Sequence, residues 1–282
     1  MADQYRFEML DHDERGYARI SALMREVFPK ARHLTPRYFE WHYGRNPDGR
    51  AIGCNAFAGD KLVGHMAAIV FPCRVEGEVR RGMYTVNGSV HPDHRGRRLQ
   101  SRISAAMFEE AVRLGYTLCL ATGNKWSTGP LLTRFEMVRP LAARLGIGLP
   151  RRREPDRTPS FERIWSEDAL HWRMANPEAR YSAVRRDGCL SLLSATGSPG
   201  VGAILYQGRD CDTLPDSGPA AGPLRVWLGL DPGTDWSGSA FLPIPMRLRP
   251  SPLNLVCKDL TGGGFLPDPD RVVFRGIDFD AF

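Results

Sequence analysis

Two hydrophobic periods alternate along the chain. Leu99, Ile103, Ala106, Met107, Ala111 and Leu114 recur at the spacing of one helix face, and Gly115 suits the position just past a helix end. Ahead of that run, Met83-Tyr84-Thr85-Val86 is β-branched and aromatic and predicts a strand. Behind it, the largely apolar Tyr116–Thr122 predicts a short strand buried on both faces. Asn55–Ala58 and Leu62–Ala67 read as strands flanking the turn Gly59-Asp60-Lys61. In the C-terminal half, Tyr181–Val184 and Cys189–Leu193 flank Arg185-Arg186-Asp187-Gly188, where Asp-Gly is a strong hairpin signal. Val201–Tyr206, Leu224–Leu230, Leu253–Cys257 and Arg271–Phe274 are further strand candidates. Gly/Pro/Ser-rich loops such as Leu214–Pro223 and Gly262-Gly263-Gly264 lie between them.

The pattern repeats itself once, weakly. Phe39–Pro47 and Leu170–Pro177 are each a short amphipathic helix carrying a tryptophan and stopped by Asn-Pro, where the proline ring forbids continuation. Each leads to a strand, a tight turn and another strand, which predicts two related α/β units. The Arg-, Pro- and Asp-rich stretch Leu149–Ser160 is the expected boundary, giving units at 1–150 and 160–282.

The chemistry concentrates between the strand at Met83–Val86 and the long helix. Val90-His91-Pro92 leads into Arg95-Gly96-Arg97-Arg98-Leu99-Gln100. A strand passing through a short basic loop into a helix N-terminus presents main-chain N–H groups with no intrahelical partner and the positive end of the helix dipole. Arginines on the same loop add charge-assisted bonds to phosphate. The loop is therefore suited to a diphosphate.

Val-x-Pro-x-x-Arg-Gly followed by a long amphipathic helix resembles the pyrophosphate-binding signature of the GNAT superfamily of acyl-CoA N-acyltransferases. The family pattern, Gln/Arg-x-x-Gly-x-Gly/Ala, maps Arg95 onto its first position and places Arg98 and Gln100 where the family prefers small residues. The resemblance implies a mixed α/β sheet flanked by helices, with the C-terminal unit as a second, degenerate GNAT-like half that lacks the loop and shapes the acceptor pocket. Tandem halves of this kind are similar to sugar N-acyltransferases and FemABX-type peptidyltransferases. The implied cofactor is acetyl-CoA or another acyl-CoA, held by Ser89, Val90, Arg95, Gly96, Arg97, Arg98, Leu99, Gln100, Asn124 and Ser127. Asn124 matches the family's asparagine after the fifth strand. Leu132 falls where many relatives carry the tyrosine that protonates the leaving thiolate, and Glu136-Met137 replaces Gly-Phe. The chain thus lacks that acid, and solvent or Ser127 takes its place.

In this fold the fourth and fifth strands splay apart and pantetheine fills the gap as a surrogate strand, so Gly88, Ser89 and Val90 are expected to face the cofactor. A main-chain N–H there polarises the thioester carbonyl. Gly88 is either the family's bulge or a packing glycine. For deprotonating the amine the candidates are His65, Tyr84, Asn87 and His91; a chain of water alone also serves in some relatives. His65 reads equally as a satisfied core histidine. Asn87 only positions. Trp41, Tyr43 and Asn46 lie on the segment corresponding to the variable acceptor region, though tryptophan on an amphipathic helix is usually core. Asp278 and Asp280 alternate with apolar residues, either holding an ammonium or facing water on an edge strand.

Composition narrows the classes without selecting one. The 282 residues, 42% hydrophobic and 25% charged, suit a globular chain of one large or two small domains. No basic stretch leads into an apolar core near the start, so no secretory signal is expected. The longest apolar segment, Val63–Phe71, is too short to span a bilayer. Six scattered cysteines without metal or redox spacing read as reduced thiols in the cytoplasm. Net charge of +6 favours an anionic cofactor, and no zinc-finger, RNP-like or basic-heptad pattern accompanies the Arg151-Arg152-Arg153 cluster, which argues against nucleic acid. The leading expectation is transfer of an acyl group from acyl-CoA to a primary amine of a small acceptor, such as a nucleotide-linked amino sugar. The alternatives are a peptidyltransferase using charged tRNA and a non-catalytic acyl-CoA-binding module.

Overall fold

The computed structural model describes residues 5–186, 188–209, 211, 213–214 and 222–279. Its N-terminal half runs β1 (Arg6–Met9), α1 (Glu14–Val27), α2 (Pro36–Phe39), β2 (Ile52–Ala58), β3 (Lys61–Val75), β4 (Glu78–Val90), α3 (Leu99–Arg113), β5 (Leu118–Gly123), α4 (Thr128–Leu131), β6 (Glu136–Pro140) and β7 (Ala142–Ile147). The remainder is β8 (Arg151–Arg152), β9 (Phe161–Arg163), α5 (Glu167–Met174), β10 (Tyr181–Arg186), β11 (Cys189–Ala195), β12 (Val201–Arg209), β13 (Leu224–Leu230), β14 (Thr234–Asp235), β15 (Leu242–Pro243), β16 (Asn254–Asp259) and β17 (Val272–Arg275). Asp187 of the second hairpin and most of the Leu214–Pro223 loop lie outside the described residues, as does Asp280. No helix among the described residues is long and apolar enough to cross a membrane.

The helices start where the sequence supplies caps. Asp13 accepts the Gly16 N–H at 2.6 Å ahead of α1, Thr35 caps α2 with Pro36 in its first turn, and Ser166 caps α5. α1 buries Tyr17, Ile20, Leu23 and Met24 on one face, and α3 buries Leu99, Ile103, Met107, Phe108 and Ala111. After α2 the chain makes one π-helical turn, Glu40–Gly44, that buries Trp41, His42 and Tyr43.

One continuous mixed sheet runs β10-β11-β12-β13-β17-β9-β3-β4-β5-β16-β6, with β2 and β1 extending from β3. The two units expected from the sequence interlock within it. β7, before the expected boundary, pairs with β13 and β15, while β16, far beyond it, pairs with both β5 and β6. The Leu149–Ser160 stretch therefore links two parts of a shared sheet and does not divide the chain cleanly in two. An apolar run specifies a buried face and leaves the partner strand open, so the pattern gave no sign of this exchange.

The two helix–Asn-Pro repeats meet each other. Trp41 Nε1 donates to the Trp172 carbonyl at 2.7 Å, Trp172 Nε1 donates to the Trp41 carbonyl at 3.0 Å, and the rings stack at 5.1 Å and 20°. Asn46 and Asn176 play one role in both copies, each side-chain oxygen accepting an N–H two residues on, from Asp48 and Glu178. Trp41 and Asn46, expected at the acceptor site, are accordingly spent on packing and on the turn; Asn46 Nδ2 also donates to the Val70 carbonyl. Asp278 departs from the edge-strand expectation as well. It sits in a 3₁₀ turn, buried, accepting from Trp165 Nε1 and Arg275 N, and burial pushes its carboxyl up.

Trp41→Ala and Trp172→Ala should each lower unfolding free energy by about 3–5 kcal/mol in denaturant titrations. Because each ring bonds the other's main chain, the double variant should lose clearly less than the sum. Additive losses would show that the pair does not couple the repeats.

Candidate active site

The phosphate-type loop is formed by three backbone choices. After β4 the chain makes a 3₁₀ turn over Pro92–His94, Arg95 is extended, and Gly96 and Arg98 both take positive φ, 74° and 57°. A Cβ added at Gly96 would meet nothing within 4 Å, so the glycine is there for its φ and not for space. No side chain caps α3, whose first turn is left with its N–H groups toward the loop.

The four longer side chains of this segment divide the work. Arg95 Nε donates to the Val90 carbonyl at 3.2 Å, fixing the loop's curl, and Arg98 is exposed at its crest. Arg97 turns away and donates to Tyr5 Oη at 2.8 Å, so it braces the loop from behind. Gln100 folds inward, its Nε2 3.1 Å from Met66 Sδ. Side chains at the positions where the family prefers small residues thus leave the main-chain donors uncovered. Leu99 contributes only its backbone, its side chain being in the core.

Beside the loop the sheet opens. β4 and β5 pair in parallel only at Gly82–Leu118, Met83–Cys119 and Tyr84–Leu120. Beyond Tyr84, β4 continues paired with β3 alone. The register of that pair shifts between His65 and Ala67, so that Asn87 and Gly88 together face Met66. The left-handed residue of this bulge is Asn87, with φ 55°, and not Gly88. Asparagine is among the few side chains that tolerate that conformation.

Three connected cavities follow the opening. One of about 460 Å³ lies against the loop, bordered by Ser89, Val90, Arg95, Gly96 and Arg98. A larger one of about 900 Å³ occupies the gap between β4 and the end of β5, with Met66, Asn87, Asn124, Ser127 and Arg134 on its walls. A third of about 360 Å³ lies deeper, walled by Tyr38, His42, Tyr84, Asn87 and Phe279. The first two share Phe28, Gly88, Arg95 and Gln100; the last two share His33, Thr85, Val86, Asn87 and Thr122. Among the described residues no aspartate or glutamate borders any of the three, whereas Arg95, Arg98 and Arg134 border the outer two. Such a track attracts an anionic, extended ligand.

Arg134 was not singled out by the sequence, although a lone cation in the otherwise apolar run before Phe135 was its signal. Its Nη1 donates to Ser101 Oγ on α3 at 3.2 Å, while Nε is buried without a partner among the described residues, and burial lowers its pKa. Asn124 and Ser127 shape the opposite wall together. Asn124 Oδ1 accepts from the N–H groups of Trp126 and Ser127, and Ser127 Oγ accepts from the Asn124 N–H. Ser89 is buried and its Oγ has no partner among the described residues.

The proposed bases separate. His65 is fully buried, bonded through Nε2 to Tyr43 Oη at 3.1 Å and through Nδ1 to Asn55 Oδ1 at 2.7 Å, and burial drives its pKa down to about 3. It borders none of the three cavities and stays neutral, as the core-histidine reading expects. His91 bonds Glu26 at 2.7 Å on the surface, away from the gap. Tyr43 is buried, and only its hydroxyl approaches the site, accepting from Asn87 Nδ2 at 2.9 Å. Tyr84 stands where the strands part, its Oη 2.5 Å from Thr122 Oγ1 on β5. Leu132 is exposed. His33 and His42, which the sequence reading did not propose, both border the inner cavity. His42 stacks on Trp41 at 17°, so its position follows from the tryptophan pair and had no independent signal.

Residues 11–135 match the family model described as an acetyltransferase (GNAT) domain. No curated protein matches the sequence. Among solved structures the chain is similar to a GCN5-related N-acetyltransferase from Anabaena variabilis, with TM-score 0.60 and 7% identity over 90% of this chain and 73% of that one. It is also similar to Saccharomyces cerevisiae N-myristoyltransferase with bound myristoyl-CoA (TM-score 0.58, 14% identity, 92% and 81% covered) and to Eis1 from Mycobacterium abscessus (TM-score 0.55, 10% identity, 91% and 74% covered). At these identities the likeness is one of fold.

The depressed pKa of His65 has a stability consequence. Below pH ~6.5 the unfolded chain binds a proton that the folded chain refuses until about pH 3, so stability is present above that window and falls as pH drops through it. At pH ~5 the loss from this group alone should be about 2 kcal/mol relative to neutral pH. His65→Gln should flatten the acid limb of unfolding measured between pH ~7 and ~5; an unchanged limb would mean that the imidazole is not held neutral.

Proposed function

We propose, from the match of residues 11–135 to an acetyltransferase (GNAT) domain, that the protein moves an acyl group from acyl-CoA to the primary amine of a small acceptor by direct attack in a ternary complex. The observation that carries this reading is the gap left where β5 parts from β4, running from the basic loop to an aromatic chamber.

The diphosphate takes the loop, held by the main-chain N–H groups of Gly96–Gln100 with Arg95 and Arg98 beside it. Arg134, half-buried with an unpaired Nε, supplies a further cation to the same ligand. Pantetheine lies along β4 past Tyr84, its amides meeting strand groups that have no protein strand on that side. The thioester then reaches the Asn87 bulge, where a main-chain N–H polarises its carbonyl. The amine enters through the inner chamber, whose Tyr38, Tyr84 and Phe279 offer ring faces; a nucleotide-linked amino sugar is the acceptor this favours. Its nitrogen attacks the carbonyl carbon, a C–N bond forms, and the tetrahedral intermediate collapses with loss of the C–S bond. The nitrogen gives up its proton to water in the chamber, and the thiolate takes one from the Tyr84–Thr122 hydroxyl pair, which replaces the acid missing at Leu132. Acetyl-CoA is the donor proposed, in the cytoplasm, where such a cofactor is available.

The test is thiol release from acetyl-CoA across a panel of amines, with thermal unfolding beside it. Acetyl-CoA at a hundredfold its dissociation constant should stabilise the protein by about 2.7 kcal/mol. Tyr84→Phe should lower kcat by roughly 10²-fold while leaving the KM for acetyl-CoA unchanged. Stabilisation by acetyl-CoA without thiol release would instead indicate a non-catalytic carrier. Tight, salt-sensitive binding of tRNA without any response to acetyl-CoA would indicate the peptidyltransferase alternative.

A further inference from the structure

Behind β4 a line of buried side chains ends at the gap. Asn87 Nδ2 donates to Tyr43 Oη at 2.9 Å, Tyr43 Oη lies 3.1 Å from His65 Nε2, and His65 Nδ1 lies 2.7 Å from Asn55 Oδ1. Tyr43, His65 and Asn55 are buried, whereas Asn87 forms part of the wall common to the middle and inner cavities.

With the Asn87 amide nitrogen toward Tyr43 and the Asn55 amide oxygen toward His65, counting protons sets the direction of the bonds between them. An amide nitrogen only donates, so Tyr43 Oη accepts from Asn87 and its own proton goes to His65 Nε2. An imidazole kept neutral by burial then carries its proton on Nδ1 and gives it to Asn55 Oδ1. Reversing any one link would leave a donor facing a donor or an acceptor facing an acceptor in a region closed to water, which is costly. The Asn87 backbone is also held, in the left-handed conformation of the bulge. Among the described residues the cavity walls carry no aspartate or glutamate, so an incoming amine meets no carboxylate from these residues.

We propose that Asn55, His65 and Tyr43 are positioning residues that turn the Asn87 amino group into the protein, so that its Oδ1 is presented to the gap and accepts a hydrogen bond from the acceptor amine. The proposal rests on the acyltransferase reading above. It assigns Asn87 the task of orienting the nitrogen lone pair toward the thioester, and it gives the buried histidine a purpose that proton transfer does not supply.

Two measurements on the full chain test it. Nuclear magnetic resonance of isotope-labelled histidine should find His65 as the neutral Nδ1–H tautomer from about pH 6 to about pH 8. An Nε2–H tautomer would reverse the line and overturn the proposal. With acetyl-CoA as donor and tyramine as the amine probe, Tyr43→Phe and His65→Leu should raise the amine KM roughly tenfold and leave the KM for acetyl-CoA unchanged. His65→Gln, whose carboxamide accepts from Tyr43 and donates to Asn55 with the same polarity, should restore most of that loss. An unchanged amine KM in Tyr43→Phe, or equal defects in the Gln and Leu variants, would overturn the proposal. Absence of thiol release by the unsubstituted protein with every amine contradicts the acyltransferase reading instead, and the tautomer then decides the positioning proposal by itself.

Discussion

The parallel ladder between β4 and β5 ends at Tyr84–Leu120, and on that side β4 continues with main-chain groups that no neighbouring strand satisfies. Buried backbone donors and acceptors left unpaired cost on the order of 1–3 kcal/mol each, so such a gap persists only where water or a ligand can enter it. Three features keep it open. β3 holds the far edge of β4 as far as Val90, the Asn87 bulge changes the strand's path, and β16 occupies the outer edge of β5 over six residues. β16 pairs along the edge of β5 away from the gap, so it fixes that strand from the other side.

The second half therefore does more than lie alongside. It contributes the strand that secures β5, and Leu253 and Phe279 to the inner chamber. Its own attachment is firm. Asp231, buried, accepts from Arg152 and from Arg275 Nε, which ties the β13 end to β8 and β17, and the tryptophan pair joins the two repeats face to face. The aromatic chamber is composite, and its shape depends on contacts far apart in the sequence.

What the sequence made legible was local. Val90-His91-Pro92, the basic loop and the periodic helix are set by neighbouring residues, and the structure has them where the pattern puts them. The repeat was also readable, because Asn-Pro after a tryptophan-bearing helix forms the same turn twice. The insertion of β16 between β5 and β6 was not, since pairing between distant strands leaves no periodic trace. Nor was the fate of individual polar residues. His65 on an apolar strand could equally have been a base or a core residue; only its bonds to Tyr43 and Asn55 decide. His42 and Arg134 gained their places from the π-helical turn and from the packing of the segment after α4, neither of which the hydrophobic pattern encodes.

On the proposed function the loop and the gap serve one extended ligand, and a crystal structure of the complex with coenzyme A tests this most directly. The diphosphate should lie within hydrogen-bonding distance of the main-chain N–H groups between Gly96 and Gln100. The pantetheine amides should pair with β4 beyond Tyr84, and the sulfur should lie near Thr122. Coenzyme A bound elsewhere, or a loop whose N–H groups remain turned to protein oxygens in its presence, would contradict the account.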